Sequence, residues 1–359
     1  MEAATLGTSL PVPCVQELAK ESLTTVPTRY SRDPPIISDI AAASSPQIPV
    51  IDMQRLISEQ FMDLELDKLD HACKEWGFFQ LINHGVNDSL VNKVKGEIPE
   101  FFDLPTEEKR KYWQTAGEME GFGQAFVVSE EQKLDWGDIF YMVTLPTHER
   151  KPHLFPKLPQ PLRDTLEAYS AELKILALKI LYLMAKALGM KPDDIKDLFE
   201  DGCQMMRMNY YPPCPQPELV IGLNSHTDAT GLTILLQMSE VEGLQIRKSG
   251  KWIPVKPLPD SFVVNIGDMS EIVTNGIYRS TEHRATVNSM KERLSLATFY
   301  SPNLDSEMGP APSLVTPETP AQYRRIRVAE FLNGYFSREL AGKSYIDVMK
   351  IQNGGGEEN

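Results

Sequence analysis

The stretch GLNSHTDATGLTILLQ, residues 222–237, sets His226 two positions before Asp228. In an extended strand, residues i and i+2 leave the same face, so the imidazole and the carboxylate point one way and Thr227 the other. A nitrogen and an oxygen on one face supply two ligands for one metal ion. The chain has six histidines; the other five are His71, His84, His148, His153 and His283. Among these only His283, in YRSTEHRATVN, shares the strand-rich stretch that holds His226. Two histidines and one carboxylate on one side of an ion leave its other positions open. That arrangement suits non-haem Fe(II) that has to take up a cosubstrate and O₂. A structural zinc would call for four protein ligands, usually with cysteine among them.

An H-x-D pair alone is common, and His283 alone would read as a surface strand residue. A third feature joins them. RLSLATF places Arg293 and Ser295 on one strand face, ten residues after His283. A guanidinium fork beside a hydroxyl is a clamp for a carboxylate. Alternation puts Ala297 and Phe299 on that same face, so Phe299 is expected to touch a bound substrate. Aromatic walls suit a flat, ring-containing molecule.

These residues need strands to carry them. After residue 202 the chain runs through QMMRMNYY, GLTILLQ, GLQIRK, KWIPVKP, SFVVNIG, EIVTNG, HRATVN and RLSLATFY. Short strand-like runs separated by Gly, Pro, Asn and Asp predict a sandwich or small barrel over residues 202–302. Before it, Leu162, Leu166, Tyr169, Leu173, Leu176, Ile180, Leu183 and Ala187 form one apolar stripe, predicting a core helix over 162–187 that Gly189 ends. Residues 161–201 are that helix and its connector. Residues 48–160 read as a mixed N-terminal region. It has a strand at IPVIDM, a helix over DLELDKLDHACKEW closed by Gly77, a buried strand at FFQLINHG and a helix closed by Pro105. Residues 1–47 read as an arm with a short helix at VQELAKE, and 303–359 as a helical C-terminal piece ending in a disordered GGGEEN.

Composition narrows the partners. With 36 basic and 50 acidic residues the net charge is −14, which opposes binding to phosphate backbones. The longest apolar run, residues 173–190, contains Lys174, Lys179 and Lys186 and is a poor membrane span. The four cysteines Cys14, Cys73, Cys203 and Cys214 form no C-x-x-C pair, which fits a reducing compartment rather than a disulfide framework. The N-terminal residues do not resemble a secretory signal. The expectation is a cytoplasmic monomer that binds neither nucleic acid nor membrane.

The motifs together resemble the plant 2-oxoglutarate/Fe(II)-dependent dioxygenases. MNYYPPCPQPELVIGLNSHTD, CKEWGFFQLINHGV and VVNIGDMSEIVTNGIYRSTEHR carry the resemblance, which runs over roughly residues 12–350. It is strongest to the senescence-related branch, which includes alkaloid O-demethylases. The resemblance implies an α+β protein with a double-stranded β-helix, or jelly-roll, core flanked by helices. It implies that His226, Asp228 and His283 hold Fe(II), with ascorbate as a supporting reductant. It implies that Arg293 and Ser295 hold the distal carboxylate of 2-oxoglutarate, with Tyr211 and Asn209 helping. The implied reaction hydroxylates or O-demethylates a small specialised metabolite with O₂, forming succinate and CO₂. Desaturation or ring closure on a flavonoid or hormone is the alternative within the family. By resemblance, GFGQAF (121–126) lies over the site mouth, so Phe122 and Phe126 are candidate substrate contacts, against a plain structural turn. IFYMVTLP (139–146) is expected to line the pocket or pack the core.

Other residues read more plainly. His84 is expected to be a structural histidine, His71 solvated, and His148 and His153 without a role. Cys214 reads as a packed thiol, and YRRIR (323–327) as a solvated helix face. Two other classes stay open on the residues alone: a ligand-binding protein that retains the fold without turnover, and a zinc hydrolase. The second leaves the Arg-x-Ser clamp unexplained.

Overall fold

The computed structural model describes residues 9–21, 23–33, 40, 46–115 and 117–351. The GGGEEN tail and part of the arm fall outside these. Twelve strands build two sheets among the described residues. They are Val50–Asp52 (β1), Phe78–Ile82 (β2), Gly121–Gly123 (β3), Asp138–Leu145 (β4), Cys203–Tyr211 (β5), Leu223–His226 (β6), Leu232–Gln237 (β7), Leu244–Lys248 (β8), Lys251–Pro254 (β9), Phe262–Ile266 (β10), His283–Ala285 (β11) and Arg293–Ser301 (β12). The larger sheet runs β1-β2-β10-β7-β12-β5-β4-β3 and the smaller β6-β11-β8-β9. This is the expected jelly-roll core with helices around it.

Strand alternation divides the large sheet into two chemistries. On β5, Met206, Met208 and Tyr210 turn outward into a core shared with the helix Leu162–Ala187, whose stripe from Leu162 to Leu183 is buried. Cys203 and Met205 turn inward, and Arg207, Asn209 and Tyr211 follow at the same parity. β12 does the same: Leu294, Leu296 and Tyr300 pack outward, while Arg293, Ser295, Ala297 and Phe299 share the other face. β5 and β12 are each buried along all nine residues. A strand covered on both faces shows as a nearly continuous apolar run, so the few polar residues within it stand out.

The arm is tied to this core. The buried Asp138 carboxylate on β4 accepts the backbone N–H of Val15 (2.8 Å) and Gln16 (2.7 Å) at the start of the helix Val15–Lys20. In Asp138→Ala both amides lose their acceptor in a buried seam, at about 1–3 kcal/mol each. Limited trypsinolysis should then cut at Lys20 faster than in the wild type while the β core stays intact. Equal cleavage rates would remove Asp138 as the anchor.

Two local expectations are corrected. EIVTNG, read as a strand, belongs to a helix, Asp268–Val273, closed by Asn275 and Gly276 at positive φ. All six helical residues are buried, so the segment has no polar face to show a helical period. The C-terminal piece is only partly helical. Its helix is Val328–Phe336, preceded by a strand Ile326–Arg327 paired with Glu307–Met308. YRRIR is therefore no solvated helix face: Tyr323 and Ile326 are buried, and Tyr323 donates to Glu271 (3.1 Å). Gly77 closes its helix at φ 64, as expected. A Cβ there would meet the Arg279 carbonyl at 2.2 Å, so the position needs glycine for close approach as well as for its φ.

Candidate active site

β6 and β11 pair so that His226 lies directly opposite His283. β6 ends at His226, and Asp228 sits just past it, so the expected pair of strand positions is a strand end and the turn that follows. That turn is fixed from behind. The Asp268 amide donates to the Asp228 carbonyl (2.7 Å), Thr227 Oγ1 donates to Asp268 (3.1 Å), and Tyr335 Oη donates to the Thr227 carbonyl (2.5 Å). Gly267 closes against it, since a Cβ there would stand 1.9 Å from the Thr230 carbonyl.

The three side chains converge. His226 Nε2 is 3.5 Å and His283 Nε2 3.7 Å from Asp228 Oδ1, and the ligand atoms of all three lie within 4.8 Å of one another. Their outward atoms are already engaged. Nδ1 of His226 faces the Asn224 carbonyl (2.7 Å), and Nδ1 of His283 faces the Thr281 carbonyl (3.1 Å). A carbonyl can only accept, so each Nδ1 carries the proton and each Nε2 presents its lone pair inward. Asp228 Oδ2 accepts from Thr233 Oγ1 (2.6 Å) and Asn265 Nδ2 (2.8 Å), which leaves Oδ1 for the centre. His226 Nε2 is buried with no hydrogen-bond partner.

The electrostatics agree with this reading. Burial opposes ionisation of Asp228, but the neighbouring His283 and His226 and the hydrogen bond from Thr233 outweigh it and hold the carboxyl well below the usual carboxylate range. Burial, then the neighbouring His226, pushes His283 down to about 4, so its imidazole is neutral near pH 7. The neutral His283 imidazole, the inward Nε2 of His226 and an ionised Asp228 carboxylate form a donor set for a divalent cation. Only one side of an ion placed there would be covered.

Two cavities adjoin the triad. One is lined by Phe78, Asn209, Tyr211, Asn265, Arg293 and Ser295 among others, between the two sheets. Here the β5–β12 register sets Arg293 opposite Tyr211 and Ser295 opposite Asn209. Asn209 Nδ2 reaches Ser295 Oγ (3.2 Å), and Arg293, buried, donates to Gln237 (3.1 Å) with its guanidinium over the Tyr211 ring. The other cavity is apolar and aromatic, lined by Met119, Phe126, Tyr141, Phe299, Tyr335 and Phe336 together with His226 and Asp228. Phe299 borders both cavities.

The described geometry has counterparts among known proteins. Residues 202–302 match the 2OG-Fe(II) oxygenase superfamily, and residues 48–158 match the non-haem dioxygenase in morphine synthesis N-terminal family. The chain is 58% identical to oxoglutarate-dependent flavonoid 7-O-demethylase 1 of Ocimum basilicum, over 98% of this chain and 94% of that one. The chain belongs to the 2-oxoglutarate/Fe(II) oxygenase superfamily. It is 55% identical to codeine O-demethylase of Papaver somniferum, over 96% of this chain and 98% of the other. Its fold matches the crystal structure of JOX2 in complex with 2OG, Fe and JA at a TM-score of 0.87 and 36% identity, covering 96% and 99% of the two chains. This oxygenase therefore works with Fe(II) and 2-oxoglutarate, and the triad's donor set fits the ion.

The oxygenase gathers most of the residues named from sequence and leaves some out. His226, Asp228, His283, Asn209, Tyr211, Arg293, Ser295, Phe299 and Phe126 line the two cavities. Phe122 does not. It packs on Phe101 and Phe102 beneath Lys109, because the Gly-bracketed strand β3 turns its side chain toward the helices. Of IFYMVTLP, Tyr141 reaches the aromatic cavity. His84 accepts from the Val86 amide (3.2 Å) and stacks on Phe262; His71, His148 and His153 are exposed. Cys214 is buried, and burial pushes its thiol up to about 11. Sequence reasoning missed Arg207, Thr233, Asn265, Tyr335 and Phe336. The first three had a signal, each being a polar residue inside an apolar strand run. The last two did not, because sequence period says nothing about which cavity a distant helix covers.

Proposed function

We propose that this oxygenase removes O-methyl groups from small, ring-containing plant specialised metabolites. The observation that carries the reading is the aromatic cavity beside the triad, walled by Phe126, Tyr141, Phe299, Tyr335 and Phe336. The O-demethylases named above support it, as relatives at 55–58% identity. In this reading His226, Asp228 and His283 hold iron, and Arg293 with Ser295 takes the distal carboxylate of 2-oxoglutarate. Tyr211 and Asn209 flank the same cosubstrate. When bound, iron, 2-oxoglutarate and O₂ supply the oxidation of a substrate C–H bond, with the cosubstrate leaving as succinate and CO₂. The chain's own work is placement. Carbonyl-held imidazoles and the tied Asp228 carboxylate fix the donor atoms, while the aromatic walls exclude water and stack the substrate ring. Hydroxylation of a methoxyl carbon gives a hemiacetal, which collapses to formaldehyde and a free hydroxyl.

Incubation of the enzyme with methoxylated flavones, Fe(II), ascorbate and 2-oxoglutarate, followed by mass spectrometry, tests this. Loss of one methylene with matching formaldehyde and succinate is expected. Gain of one oxygen with every methoxyl retained would replace demethylation by hydroxylation. Succinate no higher than in an Asp228→Ala control would reject the oxygenase assignment of the triad.

The reading extends to a cytoplasmic monomer. For the compartment it is supported by the four free cysteines, which suit a reducing environment. We keep the division into an arm (1–47), an N-terminal region (48–160), a core helix with connector (161–201), the catalytic jelly roll (202–302) and a C-terminal piece (303–359).

A further inference from the structure

The aromatic cavity beside the triad offers about 30 Å³, room for a few waters. A pocket for a ring-containing molecule needs about 300 Å³ or more. One wall therefore has to move before a substrate can enter.

Most of the walls are fixed. Phe299 stands on β12, paired on both sides with β5 and β7, and Tyr141 on β4, paired with β3 and β5. Tyr335 and Phe336 end the helix Val328–Phe336. Tyr335 Oη donates to the Thr227 carbonyl, and beyond the helix the Gly342 amide donates to the Ser225 carbonyl (2.9 Å). Both acceptors flank His226, so moving this wall would drag the metal-bearing strand end with it.

Phe126 is mounted differently. It lies in the connection 124–137 between β3 and β4, outside any strand or helix. Its φ of 64° is rare for a bulky residue. Its ring stacks on Phe336, with centroids 5.5 Å apart, and meets Tyr335 edge-on at 5.6 Å. Val128, Ser129 and Glu130 just beyond it are exposed, so the connection is a thin wall between cavity and solvent. No β-ladder supports it. Instead, Gln132 Nε2 donates to the Phe126 carbonyl (2.8 Å), and Gln132 Oε1 accepts from the Val128 amide (2.8 Å). One side-chain amide thus takes the place of a strand partner on both sides of Val127. Ser9 and Leu10 of the arm also bind the Val127 backbone. Arg29 of the arm grips the turn that carries Gln132, donating to the carbonyls of Ser129 and Gln132 at 3.2 Å each.

We propose that the Phe126 segment is the gate through which substrate enters, and that Gln132 is the positioning residue that latches it shut. This rests on the aromatic cavity being the substrate's place, as in the reading above. Opening carries Phe126 outward and leaves the triad and its carbonyl ties untouched. Closing returns the ring to Phe336 and excludes water from the oxidation.

Access to the cavity can be tested without a substrate. Ala229 is buried on the cavity wall, and Ala229→Cys places a thiol there. A bulky maleimide is added to this variant with Fe(II) and 2-oxoglutarate under argon, and peptide mass spectrometry follows the label at position 229 apart from the native cysteines. Labelling should be slow, at a rate set by opening. Adding Gln132→Ala removes both hydrogen bonds of the latch and should speed labelling about tenfold or more. Gln132→Glu keeps the acceptor for Val128 but loses the donor to Phe126, and should fall between. Arg29→Ala should give a smaller acceleration. Tyr335→Phe, which frees the helix wall, should leave the rate unchanged. An unchanged rate in Gln132→Ala overturns the proposal, as does fast labelling with the latch intact or an acceleration confined to Tyr335→Phe. If Gln132→Ala lowers the melting temperature, Gln132→Glu and Arg29→Ala decide by the same criterion. A methoxylated flavone that fails to slow labelling in the opened variant counts against the substrate reading, not against the gate.

Discussion

Asp228→Ala should abolish iron binding and turnover together. The carboxylate is one of three donors, and the structure devotes several groups to presenting it. Thr233 and Asn265 tie down Oδ2, the Asp268 amide holds the backbone, and Gly267 lets that turn close. Removal leaves two imidazoles with Nε2 lone pairs and no counter-charge, a weak site for a hard divalent ion. Succinate formation should fall at least about a thousandfold, roughly 4 kcal/mol in barrier terms. Iron retained after desalting should drop to background. The supporting groups give a graded control. Thr233→Val and Asn265→Ala each remove one hydrogen bond to Oδ2 and should weaken iron binding by about 10–100-fold, with turnover recovering at high Fe(II). Full turnover in Asp228→Ala would show that the metal sits elsewhere.

How far the sequence reaches can be followed along the inner faces. Period 2 is a backbone property, so it places Arg293, Ser295 and Phe299 together without knowledge of the fold, and the structure keeps them on one face of β12. Period cannot say which strands lie side by side. The pairing of β12 with β5, which brings Tyr211 and Asn209 opposite Arg293 and Ser295, came only through resemblance. Loops resist for another reason. In GFGQAF, Gly121 and Gly123 have positive φ, and so does Phe126 at 64°. These backbone angles send Phe122 to the helical core and Phe126 to the cavity, although the two residues look interchangeable in sequence. Helix Asp268–Val273 escaped because burial on all sides removes the polar stripe on which helix recognition depends. Arg207 was legible in principle: a charged residue within QMMRMNYY conflicts with a strand buried on both faces, and such conflicts tend to mark function.

Arg293→Ala should raise the 2-oxoglutarate requirement steeply while leaving iron in place. The Arg293 side chain is buried, with Gln237 and the Tyr211 ring as its neighbours and Ser295 two residues along the same face. A carboxylate arriving there meets a fork of N–H donors already oriented, so little entropy is lost on binding. Each charge-assisted hydrogen bond is worth about 1.5–3 kcal/mol, so losing two raises the half-saturating concentration by about 10²–10⁴-fold. The loss is amplified because the carboxylate would then enter a buried cavity without its counter-charge. Arg293→Lys restores charge but not the two-pronged geometry, and should recover only part of the affinity. Ser295→Ala removes one neutral donor and should cost about tenfold or less. Iron content is the readout that separates this from Asp228→Ala, because no Arg293 atom takes part in the triad's hydrogen bonds. An unchanged 2-oxoglutarate dependence in Arg293→Ala would remove the residue from the clamp.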